Sequence, residues 1–360
     1  MVDSVLITGG AGFIGSRLAR RLLDAGSEVS VMDALHPQVH TGFGRPADLP
    51  DGARLLTGDV TQASAYDAVL KLCRPEVVVH LAAETGTGQS LREATRHGAV
   101  NVVGTTQLTD ALLRADAVPA HVVLASSRAV YGEGAWRPVG DGTTFYPPPR
   151  TAEQMQSSRW DPVAPDGSAA EPVPSDAAST EARPTNVYAA TKLAQEHILG
   201  AWSAAMGNSL SILRLQNVYG PGQAVTNPYT GVVTFFARAA LAGEVLDVYE
   251  DGRIHRDFVF VDDVVAALGA AIETPPASGV RRVDVGSGTR STIHEVADLV
   301  ASLTGAPTPE VTGHYRDGDV RAAMCDIDAA RTDLAWSPAV GLREGLAALI
   351  EWIDASAGAR

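Results

Sequence analysis

The chain has 360 residues, 45% hydrophobic and 19% charged, with a formal net charge of −14. That length suffices for one large domain or two lobes, and the composition excludes a wholly disordered chain. The acidic balance disfavours nucleic acid as a partner, and no run of 18 apolar residues is present to span a membrane.

Met1 to Ser4 lead into an apolar run without a basic stretch or cleavage site, so the cytoplasm is the expected compartment. Strands are expected at Ser4–Thr8, Glu28–Met32, Arg54–Thr57, Val77–Leu81, His121–Ala125 and Ser211–Leu215. Helices are expected between them at Phe13–Ala25, Ala63–Leu72, Val100–Leu113 and Tyr188–Ala205. This alternation predicts an α/β fold, a Rossmann-type doubly wound parallel sheet, over residues 1–215. Beyond residue 216, Pro221, Pro228 and Pro275-Pro276 break the pattern, and helices follow at Thr292–Leu303 and Leu342–Ile353. A smaller α/β substrate-binding lobe is expected from 216–255 and 273–360, with 256–272 returning to the first domain. The stretch 134–185 holds nine of the 21 prolines and shows no clear period. Such a stretch is either a lid or a mobile excursion. Cys73 and Cys325 lie far apart, outside any C-x-x-C, and read as free thiols; no metal site is expected.

Val5 to Gly15 read as a strand, a tight turn and a helix start, with Gly9, Gly12 and Gly15 spaced G-x-x-G-x-x-G. Gly9 makes the turn, Gly12 lets the backbone approach a pyrophosphate, and Gly15 lets helix and strand pack closely. The helix N-terminus adds free N–H groups and a positive dipole end. A purely structural turn is the alternative, but the place in the chain favours a dinucleotide. Asp33 ends the second strand, where an acid accepts hydrogen bonds from ribose hydroxyls and repels a 2′-phosphate. No arginine follows before Arg45, so NAD is expected rather than NADP. His36 and His40 are spaced like a metal pair but read better as a loop beside the adenosine.

Tyr188-Ala189-Ala190-Thr191-Lys192 is Y-x-x-x-K. On a helix these two side chains share a face about 6 Å apart. A neighbouring ammonium lowers a phenol's pKa from about 10 and makes it a usable base. Lys192 is one of only two lysines, the other being Lys71. Val123-Leu124-Ala125-Ser126-Ser127 brings hydroxyls to the carboxyl edge of the sheet, where ligands bind in such folds.

The chain resembles the extended short-chain dehydrogenase/reductases, the NAD-dependent nucleotide-sugar epimerases and dehydratases. The resemblance rests on TGGAGFIGS (Thr8–Ser16), GDV (Gly58–Val60), HLAAE (His80–Glu84), NVVGT (Asn101–Thr105), SSRAVYG (Ser126–Gly132), YAATK (Tyr188–Lys192), NVYGPG (Asn217–Gly222), DGRIHRDFVFVDDV (Asp251–Val264) and GSG (Gly286–Gly288). It implies that Gly9, Gly12, Phe13, Ile14, Gly15 and Asp33 hold NAD. Asp59 and Val60 would border the adenine, and Leu81, Ala82 and Ala83 would line the cofactor beside Tyr188 and Lys192. Tyr188, Lys192 and Ser127 would be catalytic; counting back three from Val130 selects Ser127 over Ser126. The substrate implied is a nucleotide-diphosphate sugar. Thr87 and Ser127 would bind it, with Asn217, Arg256 and Arg321 at the diphosphate and Tyr249 at the base. A salt bridge to Asp257 or Asp262 is the structural alternative for Arg256. The family also implies a homodimer through the helices near Ala99–Leu113 and Tyr188–Ala205.

Family members open by oxidising the sugar at C4. Dehydratases then use an Asp–Glu pair directly after the catalytic hydroxyl residue, and decarboxylases keep the glutamate. Here Arg128 and Ala129 stand at those positions, so 4-epimerisation is expected. A dehydratase or decarboxylase would need a relocated acid, such as Glu133 or Glu84. A non-catalytic NAD-sensing protein would be expected to lose the Tyr–Lys pair. Met32–His40, Pro148–Arg150, Asn227–Val232 and Thr312–Arg321 are similar to the dTDP-L-rhamnose 4-epimerase-like members. Arg128 replaces the small residue of other epimerases and would suit an acidic sugar, which keeps UDP-glucuronate open. The 134–185 insert is fixed near both Ser127 and Tyr188, so it is expected to cover the sugar pocket; a surface loop is the alternative.

Overall fold

The computed structural model describes residues 2–40, 44–140, 142–224 and 231–358. Seven strands form its large sheet: β1 (Ser4–Thr8), β2 (Glu28–Asp33), β3 (Arg54–Thr57), β4 (Val77–His80), β5 (His121–Ser127), β6 (Ser209–Leu215) and β7 (Val280–Val285). Their order is β7-β6-β5-β4-β1-β2-β3 and every pairing is parallel. The order reverses between β1 and β4, which opens a crevice at their carboxyl ends. Runs such as Val77-Val78-Val79 suit strands buried on both faces. Adjacent side chains feed opposite cores: Val5 and Ile7 join Leu18 and Leu22, while Leu6 joins Val78, Leu108 and Leu112.

The six expected strands are present, three of them with bounds extended by one or two residues. β7 corrects the expected boundary at residue 273. It pairs with β6 over its full length, from Val280 opposite Leu210 to Val285 opposite Leu215. Arg281 and Arg282 break its apolar run, as befits an edge strand, and so hide it from a search for apolar runs. The helix Val261–Glu273 does return to the first core, through Val264, Leu268 and Ala271.

The smaller lobe is built on the strand His255–Phe260, which pairs with Asn217–Tyr219, Arg290–Thr292 and Ala322–Ala323. Helices Val232–Leu241, Ile293–Thr304 and Leu342–Gly358 cover it, with Phe236, Val296 and Leu346 in its core. Within the insert, Trp136–Pro138 pairs with Ala170–Pro172, and Ala152–Gln156 is a short helix. Residues 227–230 of the expected Asn227–Val232 segment lie outside the described residues. No helix among the described residues is long and apolar enough to cross a membrane.

Candidate active site

β1 runs into Gly9 at φ +70°, where a Cβ would lie 2.7 Å from the Ala82 nitrogen. A Cβ at Gly15 would lie 2.5 Å from the Gly10 Cα. The fold itself demands both glycines. Gly12 differs, because a Cβ there would meet only the Gly9 carbonyl oxygen, at 3.5 Å. Packing leaves that position open, and it lines a cavity of about 720 Å³. The helix Phe13–Asp24 starts there with no side-chain cap, leaving its first N–H groups for an anion.

The same cavity is lined by Gly9, Phe13, Ile14, Gly15, Asp33, Asp59, Val60, Leu81, Ala82 and Ala83. Asp33 accepts the N–H groups of Ala11 and Leu35 at 3.0 and 2.9 Å, which fixes its carboxylate at the end of β2. His36 and His40 line the cavity too, and His40 lies 3.7 Å from Asp33. Sequence reasoning missed Arg96, and also Val218, Gln223 and Ala224 of the second lobe, all in the same wall. An open glycine, an uncapped helix and a fixed acid in one cavity fit NAD.

β5 delivers Ser126 and Ser127 to opposite sides. Ser126 Oγ donates to Glu196 Oε1 at 2.5 Å, and Glu196 takes two bonds from Arg214. Ser127 Oγ accepts the Ala129 N–H at 3.1 Å, and Ser127 stands near enough to Tyr188 to favour its phenolate. Tyr188 sits in the first turn of the helix Val187–Met206, which Asn186 caps through the Ala189 N–H at 2.9 Å. Burial raises the Tyr188 pKa, while Ser127 and the Arg128 charge oppose that rise.

Lys192 is buried, and its Nζ donates to Gln195 Oε1. Burial lowers its pKa to about 7, against the pull of Glu196. Gln195 Nε2 donates to Thr105 Oγ1 at 2.8 Å and meets His80 Nε2 at 3.1 Å. Thr105 gives its own proton to the Asn101 carbonyl. His80 Nε2 also lies 3.0 Å from Thr105 Oγ1, and its Nδ1 shares a hydrogen bond with Thr8 Oγ1 at 2.6 Å. Burial keeps His80 neutral by holding its pKa down to about 3. A line of hydrogen bonds thus joins the lysine to the residue before Gly9. Asn101, in a π-helical turn over Gly98–Val103, donates to Thr191 Oγ1 and the Glu84 carbonyl. The signal for Gln195 in the sequence was a polar side chain on the core-facing side of its helix.

A second cavity, of about 340 Å³, is lined by Thr87, Arg128, Asn217, Tyr249, Arg256, Arg316 and Asp319. Arg256 pairs with Asp319 at 2.6 Å. It pairs neither with Asp257, which holds the Ser287 and Gly288 N–H groups, nor with Asp262, which holds Arg17. Arg321 does not line this cavity, which corrects its expected place at the diphosphate. Its guanidinium is 2% exposed and bonded to Asp161 at 2.6 Å, Glu250 at 2.8 Å and Asp251 at 2.7 Å. Its carbonyl is fixed by the His255 N–H at the edge of a strand. Arg316, in the loop before it, lies 5.2 Å from the Tyr249 ring centre and faces the cavity instead.

None of the insert's described residues lines the second cavity. Buried carboxylates beside that cavity draw the insert's charges inward. Arg150 bonds Glu250 at 2.9 Å, lies 3.6 Å from Glu133, and donates to the Asp319 carbonyl at 2.7 Å. Asp161 reaches Arg321, and Trp160 lies 6.2 Å from Tyr315. Glu250, held between the two arginines, has a φ of +54°.

The model of the NAD dependent epimerase/dehydratase family matches residues 5–286. The chain belongs to that family. Among its relatives, dTDP-L-rhamnose 4-epimerase of Burkholderia thailandensis is 50% identical, over 97% of this chain and 94% of its own. UDP-glucose 4-epimerase of Mycolicibacterium smegmatis is 34% identical, over 96% and 97%. The epimerase-family fold here superposes on the Thermus thermophilus UDP-glucose 4-epimerase complex with NAD, with a TM-score of 0.75, 28% identity, and 98% and 99% coverage.

Proposed function

We propose that the chain is an NAD-dependent nucleotide-sugar 4-epimerase whose substrate is dTDP-L-rhamnose. The observation that carries the chemistry is Ser127 beside Tyr188 at the carboxyl edge of the sheet, favouring its phenolate, followed by Arg128 and Ala129 rather than carboxylates. The 50% identity to a dTDP-L-rhamnose 4-epimerase supports the substrate.

NAD, held by Gly12, Asp33 and the walls around them, supplies the hydride acceptor and the returning hydride. Tyr188 takes the proton of the C4 hydroxyl and later gives it back. Ser127 holds the phenolate and the sugar C4 oxygen together. Lys192 supports the phenolate charge from one helical turn away. Asn217, Arg256 and Arg316 hold the diphosphate, and Tyr249 lies at the base. The sugar ring is then the part left free to present its other face. Elimination and decarboxylation lack an acid in place. Glu133 is buried and accepts the Arg321 N–H, and Glu84 is paired with Arg96. A cytoplasmic homodimer, joined through the helices Gly104–Arg114 and Val187–Met206, belongs to the same reading; a monomer in light scattering at micromolar concentration counts against it.

The test follows dTDP-L-rhamnose by NMR with the purified, NAD-loaded protein. Conversion to its C4 epimer is expected. Accumulation of a 4-keto product overturns the epimerase reading. Conversion of UDP-glucuronate, with dTDP-L-rhamnose left unchanged, overturns the substrate.

A further inference from the structure

The reading above gives Arg128 no contact with the substrate, yet it lines the second cavity. It is the first residue after Ser127 and opens the 3-10 turn Arg128–Tyr131. Its Nε donates to Asn217 Oδ1 at 3.2 Å. That bond turns the two terminal amino groups outward and leaves the Asn217 amide N–H groups free to donate. Neither terminal amino group has a hydrogen-bond partner among the described residues.

The surroundings of Arg128 call for an anion. Arg128, Arg256 and Arg316 all line the cavity, against two carboxylates, Asp319 and the exposed Asp247. Asp319 is already bonded to Arg256. Burial and the repulsion of Arg256 lower the Arg128 pKa to about 10, while Asp319 and Tyr188 oppose that fall. Arg128 directly follows Ser127 and shares the cavity with Arg256, so it joins the catalytic strand end to a phosphate-facing arginine. In a nucleotide sugar, the group between the reacting ring and the rest of the diphosphate is the phosphate esterified to the sugar. A guanidinium fork suits its oxygens.

Epimerisation sharpens the choice. The ring must turn between the two hydride steps, so a two-point bond to a ring substituent would hold one face in place. A uronate carboxylate would swing away with the ring, whereas the sugar-proximal phosphate stays put.

We propose that Arg128 binds the sugar-proximal phosphate of the substrate and fixes the end about which the 4-keto sugar turns. This inference rests on the nucleotide-sugar reading, and its test separates the two. The NAD-loaded wild type and the variants Arg128→Met, Arg128→Gln and Arg128→Lys are titrated calorimetrically. The ligands are dTDP and dTMP, then UDP-glucuronate and UDP-glucose. Arg128→Met and Arg128→Gln are expected to weaken dTDP by about 10–100-fold, with dTMP within about threefold of wild type and Arg128→Lys in between. Unchanged dTMP binding and NAD content report an intact fold, and Arg128→Gln decides should Arg128→Met fail to retain NAD. Wild-type affinity for dTDP in both neutral variants overturns the inference, as does an equal loss for dTDP and dTMP. A loss confined to UDP-glucuronate assigns Arg128 to a sugar carboxylate and overturns it too. A wild type that binds none of the four ligands overturns the nucleotide-sugar reading itself.

Discussion

Lys192 donates an ammonium N–H to the Gln195 side-chain oxygen across 2.5 Å, three residues along the same helix. Gln195 is itself fully buried and tied to His80 and Thr105. The lysine head is therefore set by the first domain's core before any ligand arrives.

Gln195→Leu should lower kcat by about tenfold or more with little change in KM, because it strands a buried ammonium and a buried imidazole nitrogen. Gln195→Glu should do the opposite to the pH profile. The titratable groups near the ammonium are Glu196 on its own helix and His80 across from it. A carboxylate at 195 favours the ammonium, so the alkaline fall in kcat should move to higher pH. Rate profiles between pH 6 and 10 check both variants; identical profiles would remove Gln195 from the positioning of Lys192.

Tyr188→Phe should lose about 10²–10⁴-fold in kcat, the usual worth of a positioned base. Bound NAD, read by absorbance after release, should stay at the wild-type level. Activity within threefold of wild type would leave Tyr188 without its role.

Acid should unfold the protein partly through His80. Its folded-state pKa is depressed, to about 3, by burial and by Lys192. The unfolded chain therefore binds more protons below about pH 6.5, and stability falls as pH falls towards 3. Each unit costs about 1.4 kcal/mol from this residue. His121, held at about 4 by burial and Arg281, adds a similar loss over a narrower window. Melting temperatures of wild type and His80→Gln from pH 7 to pH 4 should converge in acid; parallel curves refute the assignment.

Arg316→Met and Arg321→Met should fail in different ways. The first should raise KM for the sugar nucleotide by about 10–100-fold without moving the melting temperature. The second leaves Glu250 with Arg150 alone and takes the arginine from Asp161 and Asp251. Its melting temperature should drop sharply. Swapped outcomes would return Arg321 to the diphosphate.

The sheet was legible because its inner strands are unbroken β-branched runs between periodic helices. Only β7, with Arg281-Arg282 in its middle, escaped. The cofactor wall was legible because it depends on backbone conformation, and glycine spacing records that directly. Arg316 and Arg321 were not separable in the same way. They sit five residues apart in one polar run, and what divides them is that Arg321 abuts a paired strand and meets three carboxylates distant in sequence. The docking of the insert was not legible for the same reason. Proline content limits a loop's freedom but does not say where it docks, and Arg150 docks on Glu133 and Glu250, of which Glu250 lies 100 residues away.

The cofactor cavity takes its walls from both lobes, the glycine loop on one side and Val218, Gln223 and Ala224 on the other. Beside that cavity, Arg17 ties the first domain to the second lobe through the Pro221 carbonyl at 2.9 Å. A dinucleotide held between these walls would stay in place through turnover. It would supply a hydride acceptor and then a donor, so it would cancel from the overall reaction. The balance between the two sugar isomers is then set by the sugars alone. It stays the same in a respiring cell and an oxygen-starved one, whatever their ratio of oxidised to reduced nicotinamide.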